Sequence, residues 1–235
     1  MNARDVIRNQ MQVQKQGDSM PIICLEGASA VGKTTTSKKL SDDHNAFVIE
    51  EVNKLFGKRT ANDSVTNWYL DKQVQRWSIA CNKVLKHNLI ILDGDILHAL
   101  WYRWCFNFSG WNTLDNIRES YRSKLASGYF GLPDKYIILT IDNREELRRR
   151  KENDSINIRK NFELHLDFID PLMRYFKYMS TLRNNYVTFI EATSIQENIE
   201  KILNESLTVN SMTNEEALNI FDNLVEWIRN NKAFL

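Results

Sequence analysis

The sequence predicts an α/β protein with three layers, α/β/α, around a five-stranded parallel sheet. Two observations carry this. Short apolar runs of strand length, rich in β-branched or aromatic residues, recur at 21–26, 46–50, 88–93, 136–142 and 186–191, and longer stretches with helical patterning separate them. Such alternation is satisfied by parallel strands joined through right-handed helical crossovers. The predicted helices cover 33–43, 66–86, 96–108, 114–125, 145–152 and 158–168, with a break at Ser109-Gly110. A further helix runs to 182, with Asp170-Pro171 as N-cap and first helical residue, and helices over 195–207 and 215–230 close the chain.

At 235 residues the chain suffices for one sizeable core, so one domain is expected over 20–235, after a polar lead-in at 1–19 that reads as flexible or marginally helical. Lys and Arg total 31 against 30 for Asp and Glu, a net charge of +1 that supplies no global field for a nucleic-acid polymer. The three cysteines, Cys24, Cys81 and Cys105, are widely spaced and form no zinc or disulfide pattern. The N-terminal segment lacks the apolar stretch of a signal peptide, and no window reaches about 18 uninterrupted apolar residues. A soluble, cytoplasmic protein without a membrane partner is expected.

The motif that carries chemistry is Gly27-Ala28-Ser29-Ala30-Val31-Gly32-Lys33-Thr34, with Thr35 behind it, between the first strand and the first helix. Glycines let backbone N–H groups turn inward around phosphate oxygens, and the following helix points its positive end at them. Lys33 would reach the β and γ phosphates of ATP, and Thr34 would hold Mg²⁺ through its hydroxyl. This is the P-loop, and the expected fold is that of the P-loop NTPases.

Residues elsewhere turn the reading from hydrolysis toward transfer. A motor or switch ATPase needs an acidic pair at the end of its acidic strand, whereas Asp93 is followed by Gly94 and then Asp95, and the guanine-reading Asn-Lys-x-Asp is missing. The chain resembles the P-loop nucleoside and nucleotide kinases over about 20–207, nearest in layout to the deoxynucleoside kinases. The resemblance implies a carboxylate at the end of the second strand that orients the acceptor hydroxyl, here Glu50 or Glu51. It also implies a base-reading glutamine in the long helix, here Gln73 with Arg76 one turn later, and an acidic motif after the third strand. Asp93-Gly94-Asp95 matches that motif by position, without the family's acid-arginine-serine sequence.

A lid is expected over 143–160. Leu147-Arg148-Arg149-Arg150-Lys151-Glu152 resembles the family's arginine-rich helix, and adjacent cations repel unless an anion such as phosphate sits among them. Consecutive helical residues point about 100° apart; Arg148 and Arg149 are taken as the phosphate contacts, with Arg159 further along. The alternative is a solvated basic face paired with Glu145, Glu146 and Glu152. Glu191-Ala192-Thr193-Ser194 is placed like the family's adenine-facing loop, though an N-cap before Glu197 explains the same letters.

Acceptor binding is assigned to the helical region at about 51–130. Five of the six tryptophans fall between Trp68 and Trp111, and the segment around Trp101, Trp104 and Phe108 is expected to form a stacking wall as well as core. Arg103, buried among aromatics, would need an anionic or carbonyl partner. The acid-base candidates are Asp93, Glu51, Asp95 and Glu50, in that order, with Asp93 also a Mg²⁺ ligand and Asp95 alternatively a helix cap. No histidine is given a catalytic role; His98 alone is near the site. A terminal helix is expected at 213–231. The expected activity is transfer of the ATP γ-phosphoryl group to a small acceptor, a nucleoside or nucleoside monophosphate. An antibiotic hydroxyl, as in chloramphenicol phosphotransferase-like enzymes, and a regulatory NTP-binding module are the alternatives. A homodimer is compatible with this reading.

Overall fold

A computed structural model describes residues 20–59, 64–106, 112–153 and 162–233. The expectations for 1–19, Phe108, Trp111 and Arg159 lie outside the described residues.

Five parallel strands form one sheet in the order β2-β3-β1-β4-β5: β1 Ile22–Gly27, β2 Ala46–Ile49, β3 Leu89–Asp93, β4 Lys135–Thr140 and β5 Val187–Glu191. β1 and β3 are buried along their whole length, as strands covered on both faces must be, which is why they read as unbroken apolar runs. The edge strands β2 and β5 are only partly buried.

Alternate residues of the sheet feed two separate cores. Ile22, Cys24, Ile90, Leu92, Tyr136 and Ile138 pack with helices α3 (Val65–Lys83), α4 (His98–Cys105), α5 (Leu114–Ala126), α8 (Ile169–Leu182) and α10 (Asn214–Asn230). Ile23, Leu25, Ile91, Ile137 and Leu139 pack with α1 (Lys33–His44), α6 (Arg144–Glu152), α7 (Phe162–Asp167) and α9 (Ile195–Ser206). These are the three layers the alternation predicts.

Helix starts follow local chemistry. Asn143 caps α6 through the N–H groups of Glu145 and Glu146, Ser194 caps α9 through Glu197, and Thr213 with Glu216 forms a capping box on α10. At α8 the expectation fails: the N-cap is Phe168, so Asp170 and Pro171 lie inside the first turn. α7 ends only one residue earlier, so the chain is already turning helically, and a proline in a first turn costs no intrahelical bond. A one-turn helix, α2 (Val52–Leu55), went unpredicted because four residues carry no periodic signal. No described helix is long and apolar enough to cross a membrane.

Behind the sheet, buried Asp134 joins the start of β1 to the approach to α10. Its carboxylate accepts from Ile22 N at 2.8 Å and Met212 N at 2.7 Å. Asp134→Ala should therefore cost about 2–3 kcal/mol of unfolding free energy by leaving one buried and one partly buried donor without an acceptor, whereas Asp134→Asn, which keeps one acceptor oxygen, should cost less. Urea unfolding of both variants checks this; equal losses would contradict it.

Candidate active site

A cleft of about 660 Å³ opens at the carboxyl ends of β1, β3 and β4, where ligands collect in open α/β sheets. On one wall lies the glycine-rich loop. Gly27 has φ of +146°, and a Cβ there would come within 2.3 Å of the Leu139 carbonyl oxygen. Ala30 and Gly32 also have positive φ, at 67° and 107°, and no side chain caps α1. The loop thus turns as a phosphate cradle does, and the N-terminus of α1 is left to whatever anion enters it. Gly27, Ala28, Ser29 and Lys33 line the cleft, Val31 is buried in the core beside the loop, and Thr34 and Thr35 are exposed at the start of α1. Lys33 Nζ donates to the Gly27 carbonyl and lies 3.5 Å from Glu26 Oε1.

The opposite side is acidic. Glu26, Glu51, Asp93 and Asp95 all line the cleft. Glu26, which sequence reading missed, is buried; Oε1 accepts from Gly27 N at 2.8 Å and Oε2 from Asp95 N at 2.9 Å, so one carboxylate ties the loop to the turn after β3. Its signal was available: an acid ending an apolar strand beside a glycine, the feature that marked Asp93. Glu50 is exposed and does not line the cleft. Glu51 stands at the rim. The cleft walls desolvate its carboxylate and push its pKa up, but Lys33 and Lys54 outweigh them and hold it below the usual carboxylate value. Asp93 is buried and desolvation raises its pKa, with Lys33 opposing and Glu51 adding repulsion.

Asp95 is fixed from behind. Its Oδ1 accepts from Leu97 N at 2.9 Å and the Tyr136 hydroxyl at 2.7 Å. α4 starts at His98, so Asp95 fastens the turn before the helix rather than capping Ile96. Burial pushes its pKa to about 7, against the bonds from Leu97 and Tyr136.

Thr34 and Asp93, expected to hold Mg²⁺, face a common point. Lys54 Nζ lies 3.4 Å from Thr34 Oγ1 and 3.7 Å from Asp93 Oδ2, and the buried Asp93 Oδ1 has no hydrogen-bond partner. A hydroxyl beside an under-used carboxylate fits a hard cation that keeps most of its waters. Among the described residues no group of three or more His, Cys, Asp or Glu side chains forms a metal cage.

Gln73 and Arg76 line the cleft, yet both are turned to the protein. Arg76 is 1% exposed and donates to Gln73 Oε1 at 2.7 Å and to the carbonyls of Asp93 at 2.7 Å, Gly94 at 3.2 Å and Ile49 at 3.3 Å. Gln73 Nε2 lies 3.4 Å from the Asp95 carbonyl. Rather than presenting Arg76 to an acceptor, the fold uses it to fasten the ends of β2 and β3.

The aromatic wall is smaller and differently composed than expected. Trp101 and Tyr102 line the cleft, joined by Tyr69, His98 and Phe168. His98 stacks on Tyr102 at 4.7 Å and 23° and meets Trp101 edge-on at 4.6 Å; burial lowers its pKa to about 4, keeping the ring neutral. Trp104 points away, its Nε1 bonded to the Asn231 carbonyl and its ring against Trp227. Arg103 is off the cleft and donates to the Asn112 carbonyl at 3.2 Å, the kind of partner its burial required but outside the site.

The arginine helix also departs from expectation. Arg148 pairs with Glu145 and Glu163, and Arg149, 66% exposed, pairs with Glu146. These two lie on the solvated face, where glutamates supply the compensating charge. Arg150 shares Glu146 at 2.8 Å and, unlike the other two, also reaches back, 3.3 Å from the Val31 carbonyl and 3.5 Å from the Ala192 carbonyl, joining the cradle to the loop after β5. Arg144 lines the cleft, paired with Asp170 at 2.8 Å.

No protein-family profile matches the sequence, and no curated protein matches it. Solved structures do. The chain superposes on thymidylate kinase from Candida albicans with a TM-score of 0.57 at 13% identity, over 84% of this chain and 98% of that one. Deoxyadenosine kinase from M. mycoides with bound dATP gives 0.50 at 14% identity, over 80% and 100%. The same kinase with dCMP and dCDP gives 0.50 at 14%, over 78% and 97%. The fold is that of the P-loop kinases.

The titration of Asp95 gives a test of the site's electrostatics. Its folded pKa of about 7 exceeds the ordinary 3.8, so the folded chain holds this proton more tightly than the unfolded one. Its contribution is fully present below the ordinary value and is lost as pH rises through about 7. Asp95→Asn should remove that part of the pH dependence. Urea midpoints of both proteins measured from pH 4.5 to 8 should converge at the acid end relative to the alkaline end, where the variant gains; parallel profiles would refute the assignment.

Proposed function

We propose that the protein is an ATP-dependent phosphotransferase whose acceptor is a small planar molecule, a nucleoside or nucleoside monophosphate. One observation carries the reading: a phosphate cradle, a carboxylate at the rim and an aromatic wall converge on a single cleft large enough for a small-molecule acceptor. The P-loop kinase fold supports it. Thymidylate kinase and deoxyadenosine kinase, the structural neighbours, act on such acceptors by name.

In this reading Gly27 to Thr35 hold the triphosphate, with Lys33 released from Gly27 and Glu26 to the β and γ phosphates. Mg²⁺, taken by Thr34 and Asp93, would neutralise charge on the phosphates. Glu51 is the base: its low pKa keeps it ionised at neutral pH, at the rim where an acceptor hydroxyl would lie. The acceptor oxygen bonds to the γ phosphorus as the bond to the bridging oxygen breaks, the proton passes to Glu51, and ADP leaves. Positioning supplies most of the catalysis. Arg150, between the cradle and Ala192, closes the donor side, the role first given to Arg148 and Arg149. The neutral His98 and the rings of Trp101 and Tyr102 offer a planar acceptor a face to stack on.

ADP release with Mg²⁺-ATP across nucleosides, nucleoside monophosphates and hydroxylated antibiotics tests the reading. Turnover should require one acceptor class and fall by about a hundredfold or more in Lys33→Ala. Glu51→Gln should lower kcat by about a hundredfold with little change in acceptor KM. Turnover indifferent to every acceptor would favour a regulatory NTP-binding module, and turnover confined to antibiotics the other alternative. Arg150→Ala should raise the KM for ATP more than Arg149→Ala does; the reverse order would return the lid role to the exposed face.

A further inference from the structure

Lys54 belongs to no motif, yet it holds a singular position. It projects from the one-turn helix α2, which begins immediately after Glu51, and its backbone N–H bonds to the Glu51 carbonyl at 3.0 Å. The proposed base and this lysine therefore belong to one short helical turn. Its ammonium lies 3.4 Å from Thr34 Oγ1 and 3.7 Å from Asp93 Oδ2, facing both groups assigned to the metal.

From this juxtaposition we infer that Lys54 is a resident counter-cation: while no nucleotide is bound it occupies the metal position between Thr34 and Asp93, and a divalent cation must displace it. The inference rests on the reading of Thr34 and Asp93 given above. The charge balance supports it. The Asp93 side chain is only 2% exposed and has Glu26 and Glu51 as neighbours, so an unpartnered carboxylate there would be costly. Lys33 also favours the Asp93 charge, but it bonds to the Gly27 carbonyl and pairs with Glu26 rather than with Asp93, and Arg76 is spent on backbone carbonyls, so among the described residues Lys54 is the cation in ion-pair reach of the Asp93 carboxylate. Lys54, with 38% of its side chain exposed, can neutralise Asp93 and still withdraw into water. An ammonium and a divalent ion at one carboxylate oxygen repel, so the free protein should bind the metal poorly, and metal should enter with the triphosphate, whose own charge offsets the cost.

The test is Mn²⁺ binding to the nucleotide-free full chain, by titration calorimetry and by the loss of the free-ion paramagnetic resonance signal. Lys54→Met and Lys54→Gln should bind Mn²⁺ about five- to tenfold more tightly than the parent protein, and Lys54→Arg like the parent. Adding Asp93→Asn to Lys54→Met should abolish the gain. Unchanged affinity in both neutral variants, each shown to be folded by its unfolding midpoint, would overturn the inference, as would a gain that survives Asp93→Asn. Mn²⁺-ATP binding to the parent, Lys33→Ala and Asp93→Asn separates the two levels. If it depends on Lys33 and Asp93 while the Lys54 variants match the parent, the Lys54 assignment alone falls; if it ignores both residues, the underlying metal reading falls and takes this inference with it.

Discussion

The buried guanidinium of Arg76 is the constraint on which the carboxyl end of the sheet depends. Parallel strands end with carbonyl groups aimed at the same opening, and here they end beside Glu26, Glu51, Asp93 and Asp95. Lone carbonyls and several carboxylates in one desolvated place would push the strand ends apart. Arg76 crosses from α3 and donates to carbonyls of both β2 and β3 and to the turn after β3. Burial lowers its pKa, but the surrounding acidic groups pull the other way. Each side thus makes the other tolerable: the guanidinium needs the carboxylates to remain charged, and they need it to remain close.

That arrangement sorts the acids by what is left to touch them. Asp95 is held by Leu97 and Tyr136, and Glu26 by Gly27 and Asp95, so both are fasteners. Asp93 and Asp95 each retain one buried oxygen without a partner, but both bonds to Asp95 fall on its other oxygen and come from the fold itself, whereas Asp93 meets the ammonium of Lys54, and Glu51 stands exposed at the rim. Gly94 is part of the sorting. It has φ of +85°, and a Cβ there would lie 3.5 Å from Glu51 and 3.7 Å from a Glu26 oxygen. A side chain at this position would be strained in its backbone, although its Cβ would meet both residues only at ordinary contact distance; a glutamate, the residue a hydrolase would want, would add a further negative charge beside them.

The strands and the phosphate cradle were legible because their signals are local. An apolar run of strand length, a glycine pattern and a cap such as Ser194 or Thr213 act through neighbours in sequence. Arg103, Arg148 and Arg149 were misplaced because docking, not composition, decides which side of a helix meets a cleft. Three consecutive arginines sample directions about 100° apart, and only the packing of α6 against the cradle selects Arg150. Arg76 was legible as a functional cation one turn from Gln73, but not as a backbone fastener, since the carbonyls it serves are 17 to 27 residues away. The tryptophans misled for a related reason: Trp104 and Trp101 share a helix yet serve opposite surfaces, one packed on Trp227 and one on the cleft.

His98 sharpens how the aromatic wall differs from the rest of the cleft. It lies near Glu26 and Glu51, whose charges favour its protonation, yet desolvation wins and keeps the ring neutral. A neutral ring among Tyr69, Trp101 and Tyr102 gives one continuous uncharged surface opposite a strongly charged cradle. Under the proposed function, a molecule bound across both would place a flat uncharged part against the rings and its reacting oxygen toward Glu51, so the cleft itself selects for a ligand divided in this way.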